Sequence, residues 1–150
     1  MEIDIRTFRP KDAHECSFLI RETLRKVNRK DYPQEVISFL SNEMSPKKML
    51  KISKERHFLV AVKNKNIIGT GTIEDGTIQT VFVHPNFLGK NVGSTLMNSL
   101  EEFSLKSGKR KISLYSSITA VEFYNKLGYH KKKKVDTGPR GWTWLMEKHI

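Results

Sequence analysis

The sequence holds one cysteine, Cys16, in 150 residues. That excludes an internal disulfide and leaves no cysteine cluster for zinc. No run reaches the roughly 18 consecutive apolar residues that a membrane span needs. The opening residues, Met1-Glu2-Ile3-Asp4-Ile5-Arg6, alternate in character and carry charge where a signal peptide would be apolar. A soluble cytoplasmic protein with no metal and no membrane contact is therefore the expectation. No repeat, low-complexity tract or Gly/Ser/Pro-rich linker divides the chain, and its length suits one domain over 1–150. Acidic residues are scarce as well: 16 against 27 Lys and Arg, a formal net charge of +11. Such an excess either keeps a lysine-rich surface in solution or attracts a polyanion, whether nucleic acid, anionic membrane or phosphorylated ligand.

What is present reads as alternating segments. Ile3, Ile5 and Thr7 alternate with charged residues and predict a first strand ending near Pro10. Ala13, Cys16, Ile20, Thr23, Leu24 and Val27 follow helical spacing. The chain breaks around Asp31-Tyr32-Pro33, and a second helix carries Val36, Ile37 and Leu40. Ser45-Pro46 reads as an N-cap with proline at the first helical position, opening a short third helix. From Phe58 the period becomes two, which predicts a hairpin turning at Asn64-Lys65-Asn66, and then a strand over 77–83 stopped by Pro85. A helix is predicted over 92–105 with Val92, Leu96, Leu100 and Phe103 on one face. A strand over 111–115, a helix over 117–127 capped by Ser117 and stopped by Gly128, and strands over 129–135 and 141–148 follow. The order is that of an α+β domain, with helices on both faces of a mixed sheet.

The informative segment is Thr80-Val81-Phe82-Val83-His84-Pro85-Asn86-Phe87-Leu88-Gly89-Lys90-Asn91-Val92-Gly93-Ser94. A strand runs into a glycine-containing loop that opens a long helix. The first turn of a helix offers N–H groups with no internal partner, and its dipole favours negative charge. Gly89 and Gly93 allow close approach to the main chain, Asn91 tolerates positive φ, and Lys90 adds a cation. This pattern suits a phosphate or pyrophosphate at the helix start, and equally a tight turn with close packing. Gly-Lys-Ser/Thr and Gly-x-Gly-x-x-Gly are both absent, so neither the P-loop nor the dinucleotide fingerprint applies.

Val81-Phe82-Val83-His84-Pro85 followed by Gly89-Lys90-Asn91-Val92-Gly93 resembles the acetyl-CoA-binding motif of the GNAT superfamily, in which Arg/Gln-x-x-Gly-x-Gly/Ala wraps the CoA pyrophosphate. Leu88 to Gly93 would fill those six places. Two depart: Leu88 stands for Arg or Gln, and Asn91 for the middle Gly. A second stretch, Ala120-Val121-Glu122-Phe123-Tyr124 through Gly128-Tyr129, is similar to the family's Ala-x-x-Phe-Tyr-x-x-x-Gly-Phe/Tyr. The opening Ile5-Arg6, Phe8, Pro10 and Asp12-Ala13 also look like the family's entry. The resemblance touches nearly the whole chain. It implies an α+β, mostly antiparallel sheet of about seven strands flanked by helices on both faces.

It also implies an activity: acetyl transfer from acetyl-CoA to a primary amine by direct attack in a ternary complex, with no acyl-enzyme. Acetyl-CoA would then be a cosubstrate and no metal is required. By the resemblance, Val81, Phe82 and Val83 would meet the pantetheine through their main chain, and Leu88, Gly89, Lys90, Asn91, Val92, Gly93 and Ser94 would surround the pyrophosphate. Ser117 stands where the family often has an Asn that contacts the pantetheine arm. Tyr124 would be the general acid, since a phenol with a pKa near about 10 stays protonated at neutral pH. Its alternative is packing beside Phe123. Glu74 is the first choice for a general base acting through water; Asp75 in the same turn and His84 after the strand are the other candidates, and each reads first as a solvated turn residue. Cys16 lies on an apolar stripe and reads as a structural thiol rather than a nucleophile.

The resemblance implies a small-molecule or peptide amine as acceptor, and the net charge slightly disfavours polycationic ones. Two other readings compete. One is a nucleic-acid-binding module, prompted by the charge and by Trp142 and Trp144. Those tryptophans alternate with Met146 as a core face would, and no nucleic-acid-binding motif is present, which argues against nucleic acid as a partner. The other is a non-catalytic CoA-binding or scaffold protein on the same fold, prompted by Leu88 and Asn91. Monomer and homodimer are both left open.

Overall fold

The computed structural model describes residues 2–150. In chain order the strands and helices are β1 Asp4–Thr7, α1 Ala13–Lys26, α2 Gln34–Glu43, α3 Pro46–Glu55, β2 His57–Lys63, β3 Asn66–Glu74, β4 Thr77–Val83, α4 Val92–Lys106, β5 Lys111–Ser117, α5 Val121–Lys126, β6 His130–Asp136 and β7 Trp142–His149. The seven strands form one sheet in the order β1-β2-β3-β4-β5-β7-β6. Every neighbouring pair is antiparallel except β4 with β5. This is the α+β architecture with about seven strands that the sequence predicts.

Two apolar clusters cover opposite faces. Under α1–α3 lie Cys16, Ile20, Ile37, Met49, Phe58 and Val60, all fully or almost fully buried. Under α4 and α5 lie Leu59, Ile78, Leu96, Met97, Leu100, Leu114 and Met146. Burial of each such large side chain contributes about 1.5–3 kcal/mol. Adjacent β2 residues serve different faces: Phe58 and Val60 point to the first layer, Leu59 and Ala61 to the second. Two local signals act as the sequence says. The Ser45 hydroxyl accepts the Lys48 N–H at 3.1 Å, with Pro46 opening α3. A bidentate pair, Arg6 to Asp12 at 2.8 and 3.1 Å, pins β1 to the entry of α1, and the Arg9 N–H adds a third bond to the same carboxylate.

Three local expectations are corrected. The buried face of α4 is Val92, Leu96, Met97, Leu100 and Ser104, not Phe103. Phe103 stands one residue off that stripe and stacks flat on the His57 ring, with centroids 3.8 Å apart. Ser117 caps no helix: β5 continues through it, and a short 3-10 turn, Ile118–Ala120, precedes α5. Along β7, burial fades toward the start of the strand, from Met146 fully buried to Trp142 at 46% exposure. The ammonium groups of Lys131 and Lys134 cover Trp144 and Trp142 at 4.7 and 4.8 Å. Among the described residues, no helix is long and apolar enough to cross a membrane.

Candidate active site

The site begins where β4 and β5 part. They pair only at Thr77 with Ser113 and Ile78 with Leu114, although β4 runs on to Val83 and β5 to Ser117. The cause of the parting is a bulge. The register of β3 against β4 shifts between Thr70 and Thr72, and Thr80 sits at φ +56. A regular strand turns successive carbonyls to opposite sides; here the Gln79 and Thr80 carbonyls are both taken by hydroxyls of β3, those of Thr72 and Thr70, each at 2.9 Å. Those two threonines are fully buried, so their hydroxyls hold the bulge from inside.

Beyond the bulge the alternation resumes. The His84 N–H donates to the Ile68 carbonyl at 2.8 Å, and Phe82 lies opposite Thr70. Main-chain groups of Phe82 and His84 therefore face β3, while those of Val81 and Val83 face the gap. The Val83 carbonyl is met by the Thr23 hydroxyl of α1 at 3.1 Å. Val81 N–H and C=O, and Val83 N–H, have no strand partner among the described residues. The gap thus exposes a short ladder of main-chain groups on a strand whose side chains remain in the core.

At the open end the chain turns through Leu88-Gly89-Lys90-Asn91 into α4. Gly89 and Asn91 both have positive φ, +74 and +66. Asn91 holds the N-cap position without a side-chain cap, so the N–H groups of Val92, Gly93 and Ser94 are left for another acceptor. The Asn91 carbonyl accepts the Thr95 N–H at 3.1 Å and hydroxyl bonds from Thr95 and Ser94. A Cβ on Gly89 would meet nothing within 4 Å, so the loop is open on that side. Gly93 is different: its missing Cβ would lie 2.8 Å from the Phe123 ring, so this glycine seats α5 against α4. Leu88 is half exposed, and the Lys90 ammonium lies 5.6 Å over the Phe87 ring.

Tyr124 lies buried on α5, in the same cluster as Val81, Val83 and Val92. Its ring is edge-on to Phe123 and Tyr129 at 4.9 and 5.9 Å, and among the described residues its hydroxyl has no hydrogen-bond partner. Burial alone pushes the phenol well above the ordinary tyrosine value, so it carries its proton at neutral pH. Tyr129 is fixed in turn: its hydroxyl donates to Glu101 at 2.7 Å, and Lys148 reaches the same carboxylate at 3.1 Å. Ser117 ends β5 at the mouth of the gap with its hydroxyl uncommitted to a cap.

Glu74 lies elsewhere. It ends β3 opposite Thr77, exposed, at the paired end of the gap, and Thr77 stands about 10 Å of strand before Thr80. Val81, Val83, the loop, Tyr124 and Ser117 are thus gathered at the open end, and Glu74 is not among them. Three residues to which the sequence assigns no individual role join the site. Thr80 forms the bulge, and a β-branched residue inside a strand pattern gives no hint of positive φ. Arg56 donates to the Thr80 hydroxyl at 3.2 Å. Tyr32 donates to the Trp142 carbonyl at 2.7 Å and accepts the Ile118 N–H at 2.8 Å, tying the α1–α2 connection to the far side of the gap.

Residues 24–147 match the family profile described as an acetyltransferase (GNAT) domain. The chain belongs to the GNAT acetyltransferase family. Solved relatives reproduce this GNAT fold along the whole chain. A GCN5-related N-acetyltransferase structure from Rhodopseudomonas palustris superposes with a TM-score of 0.93 at 22% identity, covering 100% of this chain and 97% of that one. The PaiA N-acetyltransferase of Thermoplasma acidophilum, solved in complex with coenzyme A, gives 0.83 at 24% identity over the full length of both. In sequence, the uncharacterized N-acetyltransferase MJ1207 of Methanocaldococcus jannaschii is 32% identical over 78 residues, half of this chain and 33% of that protein. The match thus spans about a third of that curated relative's length.

Proposed function

We propose that this GNAT chain, as one domain over residues 1–150, is an N-acetyltransferase that moves the acetyl group of acetyl-CoA to a primary amine by direct attack in a ternary complex. The observation that carries this reading is the gap between β4 and β5, whose unpaired Val81 and Val83 groups lead straight to the uncapped N-terminus of α4. The residues fit the cosubstrate: an open Gly89 side, free N–H groups and an adjacent Lys90 suit a pyrophosphate, and the strand groups suit an amide-bearing arm. When bound, acetyl-CoA supplies the acetyl group as a thioester. Val81 and Val83 hold the arm through their main chain, whereas Phe82, expected to share that role, spends its main-chain groups on Thr70 of β3. Leu88, Gly89, Lys90, Asn91, Val92, Gly93 and Ser94 surround the phosphates, and Ser117 donates from the opposite wall. Orientation of this kind accounts for up to about 7–11 kcal/mol of a two-substrate barrier.

Tyr124 holds the proton for the departing thiolate; its buried phenol has that proton to give. Glu74, about 10 Å of strand from the bulge, receives the proton of the amine through a chain of waters, and the carbon–nitrogen bond forms as the carbon–sulfur bond breaks. Cys16 takes no part: it is fully buried on α1, and burial pushes its thiol up to about 12. Thiol release measured with a panel of amines tests the reading. Tyr124→Phe should lower kcat about 100-fold or more with acetyl-CoA affinity retained. Unchanged kcat would remove Tyr124 from the chemistry.

A further inference from the structure

Arg56 has no role in the reading above, and its placement asks for one. It ends α3 in extended conformation and enters β2, one residue before the pairing of His57 with Ile73. His57 faces α4, where it stacks on Phe103, so Arg56 faces the α1–α3 side of the sheet. The same register sets it across from Glu74. Its guanidinium reaches over to the Thr80 hydroxyl at the bulge, a single bond of 3.2 Å. Among the described residues it makes no ion pair. The half-buried guanidinium has five donors, and beyond the bond to Thr80 they are left for a further acceptor. On the same face Tyr115, 51% exposed, floors the uncovered half of the sheet beyond the gap. An amine can come from that side to the bulge, with a carboxylate (Glu74) and a cation (Arg56) flanking its path.

We infer that the acceptor is a small amine that carries a carboxylate, which Arg56 receives as a forked ion pair beside Thr80. This rests on the acyltransferase reading and names its substrate class. A purely cationic amine would be repelled by Arg56, whereas an amino acid sets its carboxylate on the guanidinium and turns its amine toward the gap.

The test is thiol release from acetyl-CoA with L-amino acids and with the same amino acids as amides. The amides have the more weakly basic amines and so the larger free-base fraction, and a preference for the acids runs against that bias. The parent should favour acids by about 10- to 100-fold in kcat/KM. Arg56→Gln, which keeps an N–H for Thr80, should collapse that ratio toward one with acetyl-CoA affinity unchanged; Arg56→Lys should keep part of it. A parent that uses acids and amides alike overturns the inference and leaves the acyltransferase reading intact, and this comparison needs no variant. An Arg56→Gln enzyme that keeps the full ratio also overturns it. A folded parent that neither binds acetyl-CoA nor releases thiol with any amine overturns both.

Discussion

Gly93→Ala tests whether the glycine in the first turn of α4 serves the packing of α5. Its added Cβ would fall 2.8 and 3.0 Å from two atoms of the Phe123 ring and 3.5 Å from a Val83 methyl. Overpacking of this kind costs about 1–3 kcal/mol. Alanine is the better helix former by about 1 kcal/mol, which offsets part of that. A net loss of about 1 kcal/mol corresponds to a fall in Tm of about 2–4 °C at this chain length. The functional effect should exceed the stability effect. Phe123 must move, it sits against Tyr124 with ring centroids 4.9 Å apart, and the phenol is displaced with it. Stopped-flow thiol release should then show kcat reduced about 10-fold or more while calorimetric acetyl-CoA affinity changes little, because the N–H of residue 93 remains. Gly93→Ala combined with Phe123→Leu should recover the lost Tm, since the two positions touch and their effects should not add. A lowered Tm with parental kcat would refute the mechanical link between Phe123 and Tyr124. An unchanged Tm in the single variant would refute the packing role itself.

Cys16 should not react with a disulfide reagent at about pH 8 in the native protein. Its folded pKa lies above the ordinary 9.0, at about 12, so the stability it contributes is present below pH 9 and lost as pH rises toward 12. Denaturant midpoints of parent and Cys16→Ala should therefore converge over that range; a constant difference would contradict the burial of the thiol. Asp12 behaves in the opposite sense. Burial opposes its charge, but the Arg6 hydrogen bond and the Arg9 N–H outweigh it and hold the carboxyl below its ordinary value. Its contribution is present above the unfolded value and lost as pH falls through the folded one. Asp12→Asn should cost about 1–3 kcal/mol in neutral urea melts and flatten the acid limb, and a parental acid limb would contradict this.

Much of the fold is legible because it is periodic. The strand over 77–83 and the helix beginning at Val92 are found where the pattern puts them. Ser45-Pro46 identifies its helix start because cap chemistry is local. Phe103 fits the helical spacing yet lies off the core stripe, because apolar spacing alone does not separate a core contact from a stack on a neighbouring ring. Ser117 precedes a helical run without capping it, because β5 extends through it and a 3-10 turn separates it from α5. The loop was readable from Gly89 and Asn91, and both have positive φ. The bulge was not readable. Thr80 takes positive φ where Thr70 and Arg56 bond it and Thr72 bonds the carbonyl of Gln79 before it, and those bonds span 10, 24 and 7 residues of chain. The reason for Gly93 was likewise out of reach, since Phe123 meets it only after α5 has docked.

Calorimetric titration with acetyl-CoA, parent against Ser94→Glu, tests the central claim most directly. Ser94 is half-buried in the first turn of α4, where a glutamate favours the helix by about 0.3–1 kcal/mol and so leaves the fold intact. The same carboxylate lies where the phosphates are expected and should repel them. One saturable site in the parent, weakened about 10-fold or more in Ser94→Glu at parental Tm, is the expected result. Absence of binding in the parent up to millimolar acetyl-CoA, or equal binding by both proteins, would contradict the site and the acyltransferase reading built on it.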